Sequence, residues 1–109
     1  MYTYGVALIP EFFAVIEGFQ WDDGNTSKSA RRHGVLPTEA EQVFLNRPVV
    51  VLGDVGHSEA EPRYFAFGST DAGRMLTGVF TIREKRLRVI SARAMSRKER
   101  RNHAQATRP

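Results

Sequence analysis

The sequence predicts a single α+β domain, and three observations predict it. Two helix-start signals precede residue 48, four β-rich runs split by short turn segments follow it, and a third helix-start signal sits at Ser96. With 109 residues there is room for one domain and one modest core.

The elements follow in order. Asp22 or Asp23 can cap a short helix through TSKSARRH, and Gly34 stands where a left-handed C-terminal cap is expected. Thr38 and Glu41 have the T-x-x-E spacing of a capping box, which predicts a second helix from about Glu39 to Asn46. Ala40, Val43 and Phe44 share its apolar face, and Pro48 ends it. Beyond Pro48 the period becomes that of strands, in VVVLG, RYFAFGS, MLTGVFTI and RLRVIS. Their connectors GDVGHSEAEP, TDAGR and REK are short enough for consecutive antiparallel pairing. A four-stranded meander with helices against one face is the economical topology. Ser96 and Glu99 repeat the capping-box spacing and open a last helix through about Gln105.

Residues 1–18 read as an N-terminal extension, 19–105 as the domain and 106–109 as a tail. The stretch GVALIPEFFAVIEGF is apolar, but Pro10, Glu11 and Glu17 interrupt it and no Lys or Arg comes before Lys28, unlike a secretory signal. It reads as an extra strand or short helix packed on the body, or as an upstream addition. No apolar run approaches the roughly 20 residues of a membrane span. Cysteine is absent, which removes disulfides, thiolate metal sites and a Cys nucleophile and fits a cytoplasmic setting.

Charge is polarised along the chain. Residues 83–101 carry nine Lys or Arg against two acids, whereas the remainder holds seven against ten. An acidic body with one cationic end suits a polyanion or an acidic protein.

Three constellations could carry chemistry. In HSEAEPR, the side chains of His57, Glu59, Glu61 and Arg63 share parity and continue into Phe65 and Phe67, so an extended segment gathers acid, base and cation on one side. The plain alternative is a solvated loop with a Glu–Arg pair worth at most about 1 kcal/mol. In RLRVISAR, Arg86 and Arg88 share one face as a polar outer strand surface. Leu87, Val89, Ser91 and Arg93 share the other, with Arg93 emerging at the rim beside the last helix, where a guanidinium can hold a phosphate. In ARRHG, Arg31, Arg32 and His33 close the first helix, where cations also serve simply as caps. Two cationic spots on one face would form a groove for a nucleic-acid backbone. The three histidines at 33, 57 and 103 have no metal-ligand spacing, and phosphate-loop and dinucleotide signatures are missing, so neither a metal nor a cofactor is expected.

Taken together, F-x-WD at Phe19, Trp21 and Asp22, HGV at His33 to Val35, EA-x-x-VF from Glu39 to Phe44, HS-x-x-E-x-R, and RVISAR followed by ER closely resemble the BrnT family of type II toxin–antitoxin toxins. The resemblance spans residues 19 to about 103. It implies a compact RelE-like ribonuclease that needs no metal, cuts RNA and depresses translation. It also implies a BrnA-type ribbon-helix-helix antitoxin in a heterotetramer, which reaches operator DNA only through the antitoxin. With those motifs behind them, His57 with Glu59 or Glu61 take acid–base roles and Arg63 and Arg93 the phosphate. Lys28, Arg31, Arg32, His33, Arg97, Lys98, Arg100 and Arg101 contact RNA. The chain departs from the family where Asn25 replaces a Lys, Ser29 replaces an Asn, and His103 replaces an aromatic after ER. A toxin-like module that binds an antitoxin without catalysis is the alternative these departures keep open.

Overall fold

The computed structural model describes residues 16–26, 28–54 and 62–108. His57, Glu59 and Glu61 lie outside the described residues, as does the apolar stretch before residue 16. The element order is α1 (Lys28–His33), α2 (Pro37–Leu45), β1 (Val50–Asp54), β2 (Arg63–Ser69), β3 (Met75–Arg83), β4 (Arg86–Ala94) and α3 (Arg97–Ala106). The four strands form one antiparallel sheet in the order β1-β2-β3-β4, the expected meander.

Local chemistry sets the helix ends, in two cases with partners other than those the spacing suggested. Asp22 does not cap α1. Its Oδ1 accepts the Gly24 N–H at 2.8 Å and its carbonyl accepts the Thr26 N–H at 2.9 Å, so it folds a turn of its own and α1 begins later. Gly34 ends α1 as expected, at φ +66°, where a Cβ would be strained. In α2 the cap shifts towards the N-terminus. Pro37 is the first helical residue, and the Glu39 carboxylate accepts the Leu36 N–H at 3.0 Å, leaving Thr38 inside the first turn. Glu41 instead accepts the indole N–H of Trp21 at 2.6 Å. The third start signal works as expected: Ser96 Oγ accepts the Glu99 N–H and Glu99 Oε1 accepts the Ser96 N–H.

The core lies between α2 and one face of the sheet. Phe44 meets Phe80 edge to face with ring centroids 5.0 Å apart, over a floor of Val51, Ala66, Leu76, Leu87, Val89 and Ala92. The approach is close at Gly68, where an added Cβ would stand 3.0 Å from the Val43 carbonyl oxygen and 3.2 Å from its Cγ1. The glycine is what lets helix and sheet touch there.

The helices do not all pack on that face. Residues 17–25 run along the free edge of β4, with Leu87 N–H donating to Gly18 O at 2.8 Å and Asn25 Nδ2 donating to Val89 O at 2.9 Å. The start of α1 continues the line, Ser29 Oγ accepting the Ala92 N–H at 2.8 Å. These contacts satisfy edge groups that would otherwise be open to another chain. By contrast α3 reaches the opposite face, because Glu99 bonds Thr77, whose side chain points away from the core side of Leu76 and Gly78. Among the described residues, no helix is long and apolar enough to cross a membrane.

Candidate functional site

The face of the sheet away from α2 carries the candidate site, and an irregularity in β4 decides which residues reach it. Phe80 pairs with Val89, but Val79 pairs with Ser91, so Ile90 is an extra residue with no partner of its own. Strict alternation would have placed Ser91 and Arg93 with Leu87 and Val89. The bulge reverses this: Ala92 enters the core beside Gly78, while Ser91 and Arg93 turn to the opposite face with Val79 and Thr77. Bulges of this kind re-aim side chains beside functional surfaces.

The register then lays out the face in rows. One row runs Val50, Phe67, Thr77 and Arg93, and the next Leu52, Phe65, Val79 and Ser91. The shared parity expected of Arg63, Phe65 and Phe67 is present, with Ala66 and Gly68 turned to the core between them. The two phenyl rings are nearly parallel, at 23° with centroids 6.2 Å apart. Arg63 is exposed at the start of β2. At about 3.4 Å per residue and about 4.8 Å per strand, its Cα lies ~17 Å from that of Arg93. The two arginines flank the aromatic strip and do not form one fork.

Arg93 is the best-defined cation on the face. Its Nη1 donates to Glu99 Oε1 at 2.7 Å and its Nη2 to Glu99 Oε2 at 2.9 Å, a bidentate pair, with a further bond from Nη1 to the Ala94 carbonyl at 3.2 Å. Glu99 Oε1 also accepts Thr77 Oγ1–H at 3.0 Å and the Ser96 N–H at 2.8 Å. The Arg93 hydrogen bonds hold the Glu99 carboxyl well below the usual carboxylate range, at about 2, against the opposing effect of burial and with help from Ser96 and Thr77. The Arg93 side chain remains 39% exposed, so a ligand on the face can still reach it.

The other cations divide between sites. Arg97, Lys98, Arg100 and Arg101 are exposed on α3, the element that closes one end of this face. Arg31, Arg32 and His33 are exposed at the end of α1 and Lys28 is half-buried at its start, but α1 belongs to the β4 edge, so the structure does not bring the two cationic spots onto one face. Arg86 is exposed, as expected of an outer strand surface. Arg88 is not open in that way: its guanidinium is paired with Asp22 at 2.8 and 3.1 Å, and its side chain is 14% exposed. The two family departures near the start are structural here. Asn25 and Ser29 are buried, their side chains bonded to the β4 backbone, so both are committed to the fold. The spacing of Ser96 and Glu99 marks Glu99 only as a cap, and no local pattern marks Thr77 or the bond from Glu99 to Arg93. Among the described residues no group of three or more His, Asp or Glu could hold a metal ion.

These features define a small α+β domain with an arginine-flanked aromatic sheet face and a cationic helix beside it. The chain belongs to the BrnT family, since residues 21–99 match the ribonuclease toxin, BrnT, of type II toxin–antitoxin systems. Such toxins are ribonucleases that come with an antitoxin partner. The matched span begins at Trp21, takes in the whole sheet and ends on Glu99, the residue that holds Arg93. No curated protein matches the chain.

Proposed function

We propose that this chain is an active endoribonuclease toxin that cuts RNA on the sheet face between Arg63 and Arg93 and thereby depresses translation. The observation that carries the reading is the bulge at Ile90, which puts Arg93 on the face away from the core in a chain of the BrnT family. In this reading no metal takes part: the nucleophile is the 2′-OH of the substrate, side chains move the protons and arginines offset the charge. A base removes the 2′-OH proton, the 2′-oxygen bonds to phosphorus, the P–O5′ bond breaks, and an acid protonates the leaving 5′-oxygen. The products are a 2′,3′-cyclic phosphate and a 5′-hydroxyl. Arg93 and Arg63 stabilise the charge that grows on phosphorus. His57 with Glu59 or Glu61 supply the proton transfers; they stand in the chain just before Arg63, the residue that opens β2.

The exposed cations of α3, Arg97, Lys98, Arg100 and Arg101, hold the RNA backbone and also receive the antitoxin. An acidic segment of a BrnA-type ribbon-helix-helix antitoxin lying there would neutralise the charge and cover the face together, in a heterotetramer that meets operator DNA through the antitoxin. Lys28, Arg31, Arg32 and His33 give the RNA a second, weaker contact along the β4 edge. The reading is tested with folded Arg93→Ala and Arg63→Ala proteins, each expected to lose about 100-fold in cleavage rate on a defined RNA. Native rates in both would remove this face from the mechanism.

A further inference from the structure

We propose that Glu99 is a positioning residue, which fixes the Arg93 guanidinium on the sheet face before RNA arrives. The inference rests on the reading of Arg93 as a phosphate ligand and goes beyond it by giving the pair a division of labour. A capping box needs one carboxylate oxygen for the N-cap N–H, and Oε1 of Glu99 fills that need at 2.8 Å from Ser96 N. The second oxygen faces Arg93 Nη2 at 2.9 Å, while Nη1 sits on Oε1 at 2.7 Å, so the two planar groups lie fork to fork. Thr77, fully buried, holds the same carboxylate from β3 at 3.0 Å. The carboxylate is therefore tied to its own helix, to β3 and to β4 at once.

Two physical consequences distinguish positioning from a plain ion pair. A guanidinium held in place in advance presents its donors where the reacting phosphate needs them, which acts on the chemical step. The negative charge of Glu99 also offsets part of the attraction between Arg93 and phosphate, which acts on binding with the opposite sign. Removing the charge while keeping the shape should therefore slow the reaction and tighten the substrate.

The test is steady-state cleavage of a short defined RNA by the full chain and by Glu99→Gln, with Arg93→Ala beside them. Glu99→Gln is expected to lower kcat by about 10-fold or more and to lower KM by about 2-fold or more. A role in folding alone would leave KM where it was. Should Glu99→Gln fail to fold, Thr77→Val loosens the carboxylate without touching its charge and is expected to lower the kcat of the fully folded protein a few-fold, whereas a role in folding alone would leave the kcat of folded molecules native. A native kcat in folded Glu99→Gln, or in Thr77→Val where that variant stands in, overturns the positioning role. If Arg93→Ala cuts as fast as the native chain, the reading of Arg93 itself fails. A slow Arg93→Ala beside a fully active Glu99→Gln refutes only the role of Glu99.

Discussion

Thr77 and Arg93 stand opposite each other on β3 and β4, and they do so because β4 spends one more residue than β3 between there and the Phe80–Val89 pair. Both side chains meet the carboxylate of Glu99. The bulge thus converts a strand whose first half alternates in the ordinary way into one that delivers a guanidinium to the face away from the core.

Deleting Ile90 should therefore spare the site. With the extra residue gone, Ser91, Ala92 and Arg93 follow Val89 in unbroken alternation and keep Val79, Gly78 and Thr77 as partners, so Arg93 stays beside Glu99 on the face away from the core. The deletion variant should fold and keep the Arg93–Glu99 pair, read out as the acid-dependent part of its stability in denaturant unfolding at pH 6 and near pH 2. A deletion variant that has lost that acid dependence would mean that Ile90 is not the inserted residue.

Glu99 also makes an acid-dependent contribution to stability. Its carboxyl is lowered from 4.5 to about 2 in the folded chain, so the unfolded state binds the proton first as pH falls. The stabilisation is complete above about pH 4.5 and drains away as pH falls towards 2, amounting to roughly 1–2 kcal/mol once partial exposure is allowed for. The melting temperature of the native chain should exceed that of Glu99→Gln at pH 6 and the two should converge near pH 2. A constant difference across that range would contradict it.

Trp21 is the one tryptophan of the chain, and its indole N–H bonds Glu41 at 2.6 Å. Glu41→Ala should cost about 1–2 kcal/mol and change the Trp21 emission of the folded protein, whose spectrum then reports on the docking of residues 19–25 against α2. Unaltered fluorescence and stability would show the contact to be absent in solution.

At Gly68 the limit is space. An alanine there would press on the Val43 carbonyl 3.0 Å away, and the helix would have to lift, at a cost of about 1–3 kcal/mol. A denaturant midpoint equal to that of the native chain would show that α2 yields freely.

The meander was legible because its strands alternate and are punctuated by turn residues, and α3 because Ser96 and Glu99 announce its start. The site was legible only in part. Arg63, Phe65 and Phe67 lie in one regular strand, where parity suffices. Arg93 lies beyond a bulge whose extra residue, Ile90, is as strand-like as its neighbours, so nothing local marks the reversal. The remaining misses are long-range. Glu41 caps nothing because its partner is Trp21, 20 residues earlier, and Arg88 is not an open surface residue because Asp22, 66 residues away, reaches it. Spacing rules see the first turn of a helix, and a carboxylate with a better partner across the fold does not obey them.

Whether the face carrying Arg93 cleaves RNA is decided by the end-group chemistry and rate of cleavage of a defined RNA by the purified chain, with chelator present, beside folded Arg93→Ala. The expected fragments end in 2′,3′-cyclic phosphate and 5′-hydroxyl and form about 100-fold more slowly with the variant. Cleavage that needs an added metal, or that proceeds as fast without Arg93, would contradict this expectation.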